Sequence, residues 1–299
     1  MSRTVLITGA TGNQGGAVVT NLLQANADFT ILAVTRNAAS PAAQKLSQRS
    51  PKIKLVQGDL DNPATIFLNA SNVVSGPIWG VYSVQGQTVE NEVKQGKALI
   101  DESIKNGVKF FVYSSVDRGG DKSFDNPTPV PHFASKHQVE HHLVEKASDG
   151  SMGWTILRPA GFLDNYTPGF QAKVFFTAWK VALKSRPLQV IAVSDIGLFA
   201  AQAFMNPDQY NGRALSLAGD ELTFDDAAKI FKQKTGQTIP TTFGFMGWFV
   251  LYMVKDVGTM FKWMEDEGFG ANLQELKMIQ PRLVDFGTYI EKQSGFVTE

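Results

Sequence analysis

The chain of 299 residues contains no cysteine, and this absence excludes disulfide bonds, thiolate ligands and cysteine-based catalysis. An excess of charge of either sign is also missing, because 28 basic side chains balance 28 acidic ones. Proteins that hold nucleic acid through its phosphates carry a basic surface, so direct nucleic-acid binding is not expected. If the protein responds to redox state, the response must come from a bound cofactor rather than from a thiol.

No apolar run is long enough to cross a membrane. The longest, Phe243–Val254, has about a dozen residues, where a spanning helix needs about 20. We interpret it as a buried or half-buried helix, and a substrate lid and a partner-binding surface stay as alternatives. The amino terminus runs directly into a strand pattern without the features of a secretory signal. We therefore expect a cytoplasmic protein, with the nucleus as a second compartment, and no membrane association.

Short β-branched runs alternate with amphipathic segments in the first half of the chain. The strand candidates are Thr4–Thr8, Thr30–Thr35, Ile53–Gln57, Ile78–Val84, Lys109–Ser114 and Trp154–Leu157. The segments between them place apolar residues three or four positions apart, as helices that cross over a sheet require. This alternation predicts a Rossmann-type α/β fold with a doubly wound parallel sheet.

After Arg158 the alternation loosens into pieces punctuated by proline and glycine, with helix candidates at Asp195–Met205 and Thr223–Thr235. We therefore predict a Rossmann domain over residues 1–158 and a smaller C-terminal α/β lobe over residues 159–299, with the chain free to cross back. The stretch Asp117–Pro131, between a strand and a helix, is rich in glycine, proline and aspartate. Its position predicts the rim of an active site.

The sequence TGATGNQGG follows the first predicted strand and opens the first predicted helix. Gly9 allows a tight turn, Gly12 lets the backbone approach a pyrophosphate, and Gly15 lets the helix pack on the strand. The free N–H groups at the start of that helix attract anions. Strand, glycines and helix in this order predict a dinucleotide site, and a turn and helix start without a ligand is the alternative.

The second predicted strand lacks the acid that NAD-binding folds usually offer to the adenosine ribose about 20 residues after the glycine motif. Thr35 and Arg36 stand there instead. A guanidinium pairs with a 2′-phosphate that an acid would repel, so NADP(H) is favoured over NAD(H). Arg36 as a plain surface cation is the alternative. Asp59 and Leu60 follow the third strand and could flank the adenine, although an ordinary turn has the same composition.

Several segments stand together in the order and spacing of the NmrA-like family, whose members are atypical short-chain dehydrogenases/reductases: GATGNQGG, TRN, GDLDN, HFASKHQVEHHL, LRPAGFLDNY, VSDIGLFAAQAF and SLAGDELTFDDAAKIFKQKTGQ. The chain resembles this family over nearly its whole length. The resemblance implies a Rossmann domain that holds NADP(H) through Gly9, Thr11, Gly12, Asn13, Gln14, Gly15, Thr35 and Arg36. It further implies contacts from Ser83, Val84 and Gln85 after the fourth strand, Lys136 near the nicotinamide ribose, and a nicotinamide face of Pro159, Ala160 and Phe162.

The same resemblance raises the question of catalysis, because short-chain dehydrogenases carry Tyr-x-x-x-Lys where this chain has His132 and Lys136. In the tyrosine mechanism the phenol protonates the substrate while the lysine binds the ribose. Lys136 keeps that second role. His132 is a candidate acid, since imidazole titrates near neutral pH, and its alternatives are a residue lining the ligand pocket and a structural residue at the helix start. Ser114 or its neighbour Ser115 is a candidate for steadying a substrate carbonyl, and an ordinary strand terminus is the alternative.

All 4 histidines lie in this segment, and His137 and His141 share a helix face that could bind zinc. No glutamate follows the first of them and no third ligand is evident. We therefore predict no metal site. A polar helix face, exposed or at a subunit contact of a homodimer, explains the same residues.

The sequence thus predicts an NADP(H)-binding protein that senses the redox state of the cofactor and passes it to a protein partner, a role that the resemblance associates with transcription regulation. The alternative is an NADPH-dependent oxidoreductase that lacks the usual tyrosine and acts on a small carbonyl or imine-type substrate. A Rossmann protein without cofactor is disfavoured because the fingerprint glycines stand in position. Vigorous reduction of generic aldehydes, ketones or quinones is not expected.

Overall fold

The computed structural model describes residues 2–86, 89–242 and 255–297, so the apolar segment Phe243–Val254 lies outside the described residues. The chain divides into two compact units. The first unit comprises Met1–Ser115, Ser135–Leu157 and Ile196–Leu215, and the second unit comprises Val116–Ala134, Arg158–Asp195 and Ser216–Glu299. Each unit is assembled from separate stretches of chain, so residues far apart in sequence share a unit.

A seven-stranded sheet has the strand order β3-β2-β1-β4-β5-β6-β9. Its strands are β1 Arg3–Ile7, β2 Phe29–Thr35, β3 Ile53–Gln57, β4 Ile78–Ser83, β5 Phe110–Ser114, β6 Gly153–Pro159 and β9 Arg213–Leu217. The neighbouring strands from β3 to β6 pair in parallel. The chain winds outward in one direction from β1 and in the other from β4, and dinucleotides bind at this switch point in such sheets. The predicted Rossmann-type fold is confirmed.

Helices connect the strands and follow them. They are α1 Asn13–Gln24, α2 Pro41–Ser47, α3 Pro63–Ser71, α4 Val89–Lys105, α5 Pro131–Lys146, α6 Phe170–Leu183, α7 Val193–Met205, α8 Pro207–Tyr210, α9 Phe224–Thr235, α10 Lys255–Asp266, α11 Leu273–Ile279 and α12 Phe286–Lys292. Thr223, predicted as the first residue of α9, is instead its N-cap, because its side chain accepts the N–H of Asp226 at 3.2 Å. Within the described ranges, no helix combines the length and hydropathy needed to cross a bilayer.

The strands β1, β2 and β5 of the first unit are buried on both faces. Val5, Leu6 and Ile7 are fully buried, as expected for a parallel sheet covered by helices. Leu99 of α4 and Leu143 of α5 belong to the same buried cluster as Leu6. The apolar faces of these two helices therefore fix their position on the sheet.

Helices α4 and α5 lie in close contact at Gly96. A Cβ added to Gly96 would lie 2.7 Å from Val139 Cγ2, which is too close for a side chain. This contact sets the register of the two helices. One turn earlier it brings Glu92 of α4 beside Ser135 and Lys136 of α5.

The second unit contains a three-stranded sheet of order β10-β8-β7, made of β7 Gly161–Phe162, β8 Leu188–Ile191 and β10 Asp220–Leu222. Its core is rich in aromatic side chains, including Phe176, Trp179, Phe231, Trp263 and Phe286. Strands of two to four residues are too short to show an alternating pattern in sequence. The sequence accordingly predicts a lobe here but not its strands.

Candidate functional site

The loop between β1 and α1 is shaped by its glycines. Gly9 has a φ of 59°, a left-handed conformation that glycine adopts without strain, and its carbonyl accepts the N–H of Gly12 at 2.9 Å. A Cβ on Gly15 would lie 2.4 Å from the Gly9 carbonyl oxygen, so no side chain fits between helix and loop. Thr11 and Asn13 are exposed on the same turn. Backbone contacts within the loop therefore require the spacing of the glycines.

The start of α1 is bare. Its N-cap is Gly12, no side chain among the described residues caps it, and its first turn contains no acid. The first N–H groups of a helix have no acceptor within the helix, and together with the helix dipole they attract anions. An uncapped helix start beside a glycine loop fits the pyrophosphate of a dinucleotide.

Gln14 links the glycine loop to two strands. Its Oε1 accepts a hydrogen bond from Ser114 Oγ at 2.5 Å and another from the Tyr82 hydroxyl at 3.2 Å. Burial raises the pKa of Tyr82 above its usual value of 10.0, and hydrogen bonding to Ser114 opposes this only in part, so the phenol stays a donor. The sequence placed Gln14 at the phosphates and Ser114 at the substrate, but the structure joins the two. A substrate carbonyl would have to displace Gln14 to receive the Ser114 proton.

The end of β2 presents Arg36 to solvent. Thr35 is buried, and its Oγ1 accepts the N–H of Asn37 at 3.3 Å, which turns the chain directly after the strand. Arg36 is exposed and makes no hydrogen bond or ion pair with any other part of the chain that the structure describes. Its guanidinium is therefore available to an anionic ligand.

Asp59 and Leu60 lie just beyond β3. Asp59 Oδ1 accepts the N–H of Asp61 at 3.0 Å, which closes a local turn of the kind that aspartate favours. Leu60 is half-buried against the core of the first unit. Asp59 thus stabilises a turn and Leu60 packs against the core, and their contact with an adenine stays a prediction.

The end of β4 carries a buried acceptor that lacks a donor. Gln85 Nε2 donates to Ser83 Oγ at 2.7 Å, but Gln85 Oε1 is buried and has no hydrogen-bond partner among the described residues. Such a group costs about 1–3 kcal/mol, and a ligand amide or hydroxyl would satisfy it. Val84 beside it is fixed by Thr8, whose Oγ1 accepts the Val84 N–H at 2.8 Å. The predicted contact of Ser83, Val84 and Gln85 with a dinucleotide stays a prediction.

Lys136 reaches the carboxyl end of β5. Its Nζ lies 2.7 Å from Glu92 Oε1 and 3.3 Å from the carbonyl oxygen of Ser114. The other oxygen of Glu92 accepts a hydrogen bond from Ser135 Oγ. Glu92 is buried and Lys136 is largely so. Lys136 and Ser114 are predicted from sequence as site residues, whereas Glu92 is not predicted because no motif contains it.

The remaining predicted residues belong to the second unit. Pro159 and Ala160 are buried, and their main chains are hydrogen bonded within that unit. Phe162 is half-buried in β7. His132 is half-buried as well, and its ring lies edge-on to Phe133 with the centroids 4.6 Å apart. The contribution of these side chains to a nicotinamide face or to proton transfer stays a prediction.

The stretch Asp117–Pro131 is tightly held within the second unit. Asp117 is fully buried and accepts five hydrogen bonds, from the N–H groups of Gly119, Gly120 and Gly270 and the hydroxyls of Ser123 and Ser216. Arg118 is also fully buried, and its guanidinium donates to the backbone carbonyls of Val116, Ser123 and Asn126. The predicted rim is thus anchored at its beginning by two buried charges.

The histidine cluster lies on α5. The rings of His137 and His141 lie 4.3 Å apart, yet no group of three potential ligands forms among the described residues. His142 Nε2 lies 2.7 Å from Asp101 Oδ1, which ties α5 to α4.

The sequence profile of the NmrA-like family matches residues 1–289. The chain belongs to the NmrA-like family. A relative in Aspergillus hancockii, an NmrA-like family domain-containing oxidoreductase, is 26% identical over 257 residues, which cover 79% of this chain and 73% of the relative.

Solved structures of the NmrA-like type share the fold. The triphenylmethane reductase of Citrobacter sp., complexed with NADP(H), matches with a TM-score of 0.74 at 17% identity, covering 98% of this chain and 99% of that chain. NmrA, a negative transcriptional regulator in complex with NADP, matches with a TM-score of 0.71 at 16% identity, covering 98% and 96%. At this identity the likeness establishes the architecture, and it is shared by a regulator and a reductase.

Proposed function

We propose that the chain binds NADP(H) in its first unit. The pyrophosphate would lie at Gly9, Gly12 and the bare start of α1, where N–H groups without acceptors meet it. Arg36 would pair with the 2′-phosphate of the adenosine, since its guanidinium is exposed and, among the residues that the structure describes, no carboxylate forms an ion pair with it. Solved relatives with the same fold were crystallised with NADP or NADP(H), which supports this assignment.

The other half of the cofactor would lie on the β4 and β5 side of the switch point. Gln85 Oε1 offers a buried acceptor there, and the Lys136 ammonium offers a donor to ribose hydroxyls. When bound, the nicotinamide ring supplies the capacity to accept or release a hydride. The protein residues bind and orient that ring.

We further propose that the protein is a sensor of cofactor redox state that acts through a protein partner. The observation that carries this proposal is the hydrogen bond that the Ser114 hydroxyl donates to Gln14 at 2.5 Å. In addition, position 132 holds a histidine in place of the usual tyrosine. Ser114, the candidate for steadying a substrate carbonyl, is thus hydrogen bonded to Gln14, and the phenol that would protonate a substrate is replaced by histidine. The glycine loop and Lys136, which we assign to the cofactor, need neither group. A sensor needs only the groups that hold the cofactor, together with unequal affinity for the two cofactor forms.

The second candidate is an NADPH-dependent oxidoreductase of the atypical short-chain type. Lys136 is retained in its position, and the Aspergillus hancockii relative is named an oxidoreductase. Protonated imines suit such a site better than ketones, because an iminium already carries its proton and gives a neutral amine when it accepts hydride.

Calorimetry with NADPH, NADP⁺, NADH and NAD⁺ tests the binding proposal. We expect binding of the phosphorylated forms and a measurable difference in affinity between NADPH and NADP⁺. Arg36→Ala should lose the preference for the phosphorylated forms, whereas Arg49→Ala, which removes an exposed arginine that donates to Thr20, should keep it. Equal affinity for NADPH and NADP⁺ together with turnover of a carbonyl or imine panel would favour the oxidoreductase.

A further inference from the structure

Glu92 is a buried carboxylate placed against the lysine of the cofactor site. Its Oε1 lies 2.7 Å from Lys136 Nζ, and its second oxygen accepts the Ser135 hydroxyl. The side chains of Glu92 and Lys136 are only 6% and 16% exposed. Solvent therefore screens this ion pair weakly, and removing the charge of one partner would change the electrostatic potential at nearby groups.

The packing of the two helices places the two partners of the pair next to each other. Gly96, one turn after Glu92, allows α4 to lie against Val139 of α5, and this contact fixes the backbone positions of both partners. Both oxygens of Glu92 are engaged, so the carboxylate cannot rotate away without losing a bond. The negative charge of Glu92 thus balances the positive charge of Lys136 beside it.

Lys136 also donates to the carbonyl oxygen of Ser114 at the carboxyl end of β5. The glycine loop occupies the end of β1, so the half of the dinucleotide on the β4 and β5 side is the nicotinamide half. The oxidised nicotinamide ring carries a positive charge and the reduced ring carries none. An uncompensated ammonium at this end of the sheet would disfavour the oxidised form alone.

We propose that Glu92 is a positioning residue that neutralises Lys136 and thereby sets the relative affinity of the site for NADP⁺ and NADPH. The proposal rests on the proposed NADP(H) binding. Its consequence is that the lysine can donate hydrogen bonds to the cofactor without repelling the oxidised ring.

The test measures the ratio of the dissociation constants for NADP⁺ and NADPH in matched variants. Glu92→Gln keeps the shape of the side chain and leaves one positive charge on Lys136, and we expect the ratio to shift toward NADPH by about tenfold. The double variant Glu92→Gln with Lys136→Met carries no charge at this place, so its ratio should return to that of the wild type even if both affinities fall.

Two controls separate charge from structure. Ser135→Ala removes a hydrogen bond to Glu92 but no charge, and Glu102→Gln removes a carboxylate of α4 whose partner Lys105 is on the surface; both should keep the wild-type ratio. If Glu92→Gln does not fold, Lys136→Met replaces it, and a shift of its ratio toward NADPH would overturn the proposal. A Glu92→Gln ratio equal to that of the wild type would also overturn it, whereas a wild type that binds neither form would instead refute the cofactor proposal.

Discussion

Asp195, near the start of α7, offers a quantitative test of the second unit. Its Oδ2 accepts the N–H of Val284 at 2.8 Å. Burial raises the pKa of Asp195 to about 6; the Val284 hydrogen bond opposes this, and the nearby charge of Asp164 adds to it. Between about pH 4 and pH 6, the folded protein therefore holds a proton on this carboxyl that the unfolded chain has already released.

The pKa difference sets the size and the sign of the effect. A rise from 3.8 to about 6 corresponds to about 3 kcal/mol, at about 1.4 kcal/mol for each pH unit. Because the folded pKa is the higher one, this stability is fully present below about pH 4 and is lost as the pH rises through about 6. Asp195→Asn keeps an acceptor for Val284 and removes the charge, so it should be the more stable protein at pH 7.

Urea unfolding of both proteins between pH 4 and pH 8 measures this difference. We expect the free energy of unfolding of Asp195→Asn, relative to the wild type, to rise by up to about 3 kcal/mol over this range and to level off above about pH 7. Asp225→Asn, at an exposed position in α9, should show no such rise. Parallel pH profiles for Asp195→Asn and the wild type would refute the reasoning.

Three further changes test other parts of the molecule. Arg36→Ala should reduce the preference for NADP(H) over NAD(H) by about tenfold, or about 1.4 kcal/mol, and calorimetry that finds the full preference would contradict the role of Arg36. His132→Phe should lower any NADPH turnover by less than about tenfold if the ring lines a pocket, whereas a loss of about 100-fold or more in absorbance assays would identify an acid catalyst. Asp117→Ala should cost about 3 kcal/mol or more, because it leaves buried donors unpaired, and should expose the chain near Arg118 to trypsin; unchanged stability would exclude the anchoring role.

Strands β1 to β6 of the large sheet could be predicted from sequence because they appear as short β-branched runs between helical segments. The seventh strand, β9, is not among the predicted strands, and only part of it is buried. The errors at the ends of the predicted strands have a physical cause. Thr8 and Val84 were predicted within strands, but the Val84 N–H donates to the Thr8 hydroxyl instead of continuing a backbone ladder. Side-chain hydrogen bonds of this kind end a strand without changing its apolar pattern.

Some features of the candidate cofactor site could be predicted from sequence, and others could not. The glycine loop could be predicted, because contacts among residues close in sequence require the spacing of its glycines. The link from Gln14 to Ser114 spans 100 residues of sequence, and no local pattern encodes it. The amide of Gln14 fits either role, at the phosphates or against a strand, and only the folded chain shows which strand it meets.

Glu92 shows that a signal for a functional residue was nevertheless present. Along α4, Glu92, Gly96, Leu99 and Ser103 are buried at the three- and four-residue spacing of one helix face. A charged residue on an otherwise small or apolar face is costly unless it is paired, so its presence there predicts a buried cation on the neighbouring element. Lys136 stands one turn before the α5 residue that contacts Gly96, and the pairing follows from helix geometry once the two helices are known to touch. The same argument, applied to a charge on a buried helix face, can locate a positioning residue for which no motif exists.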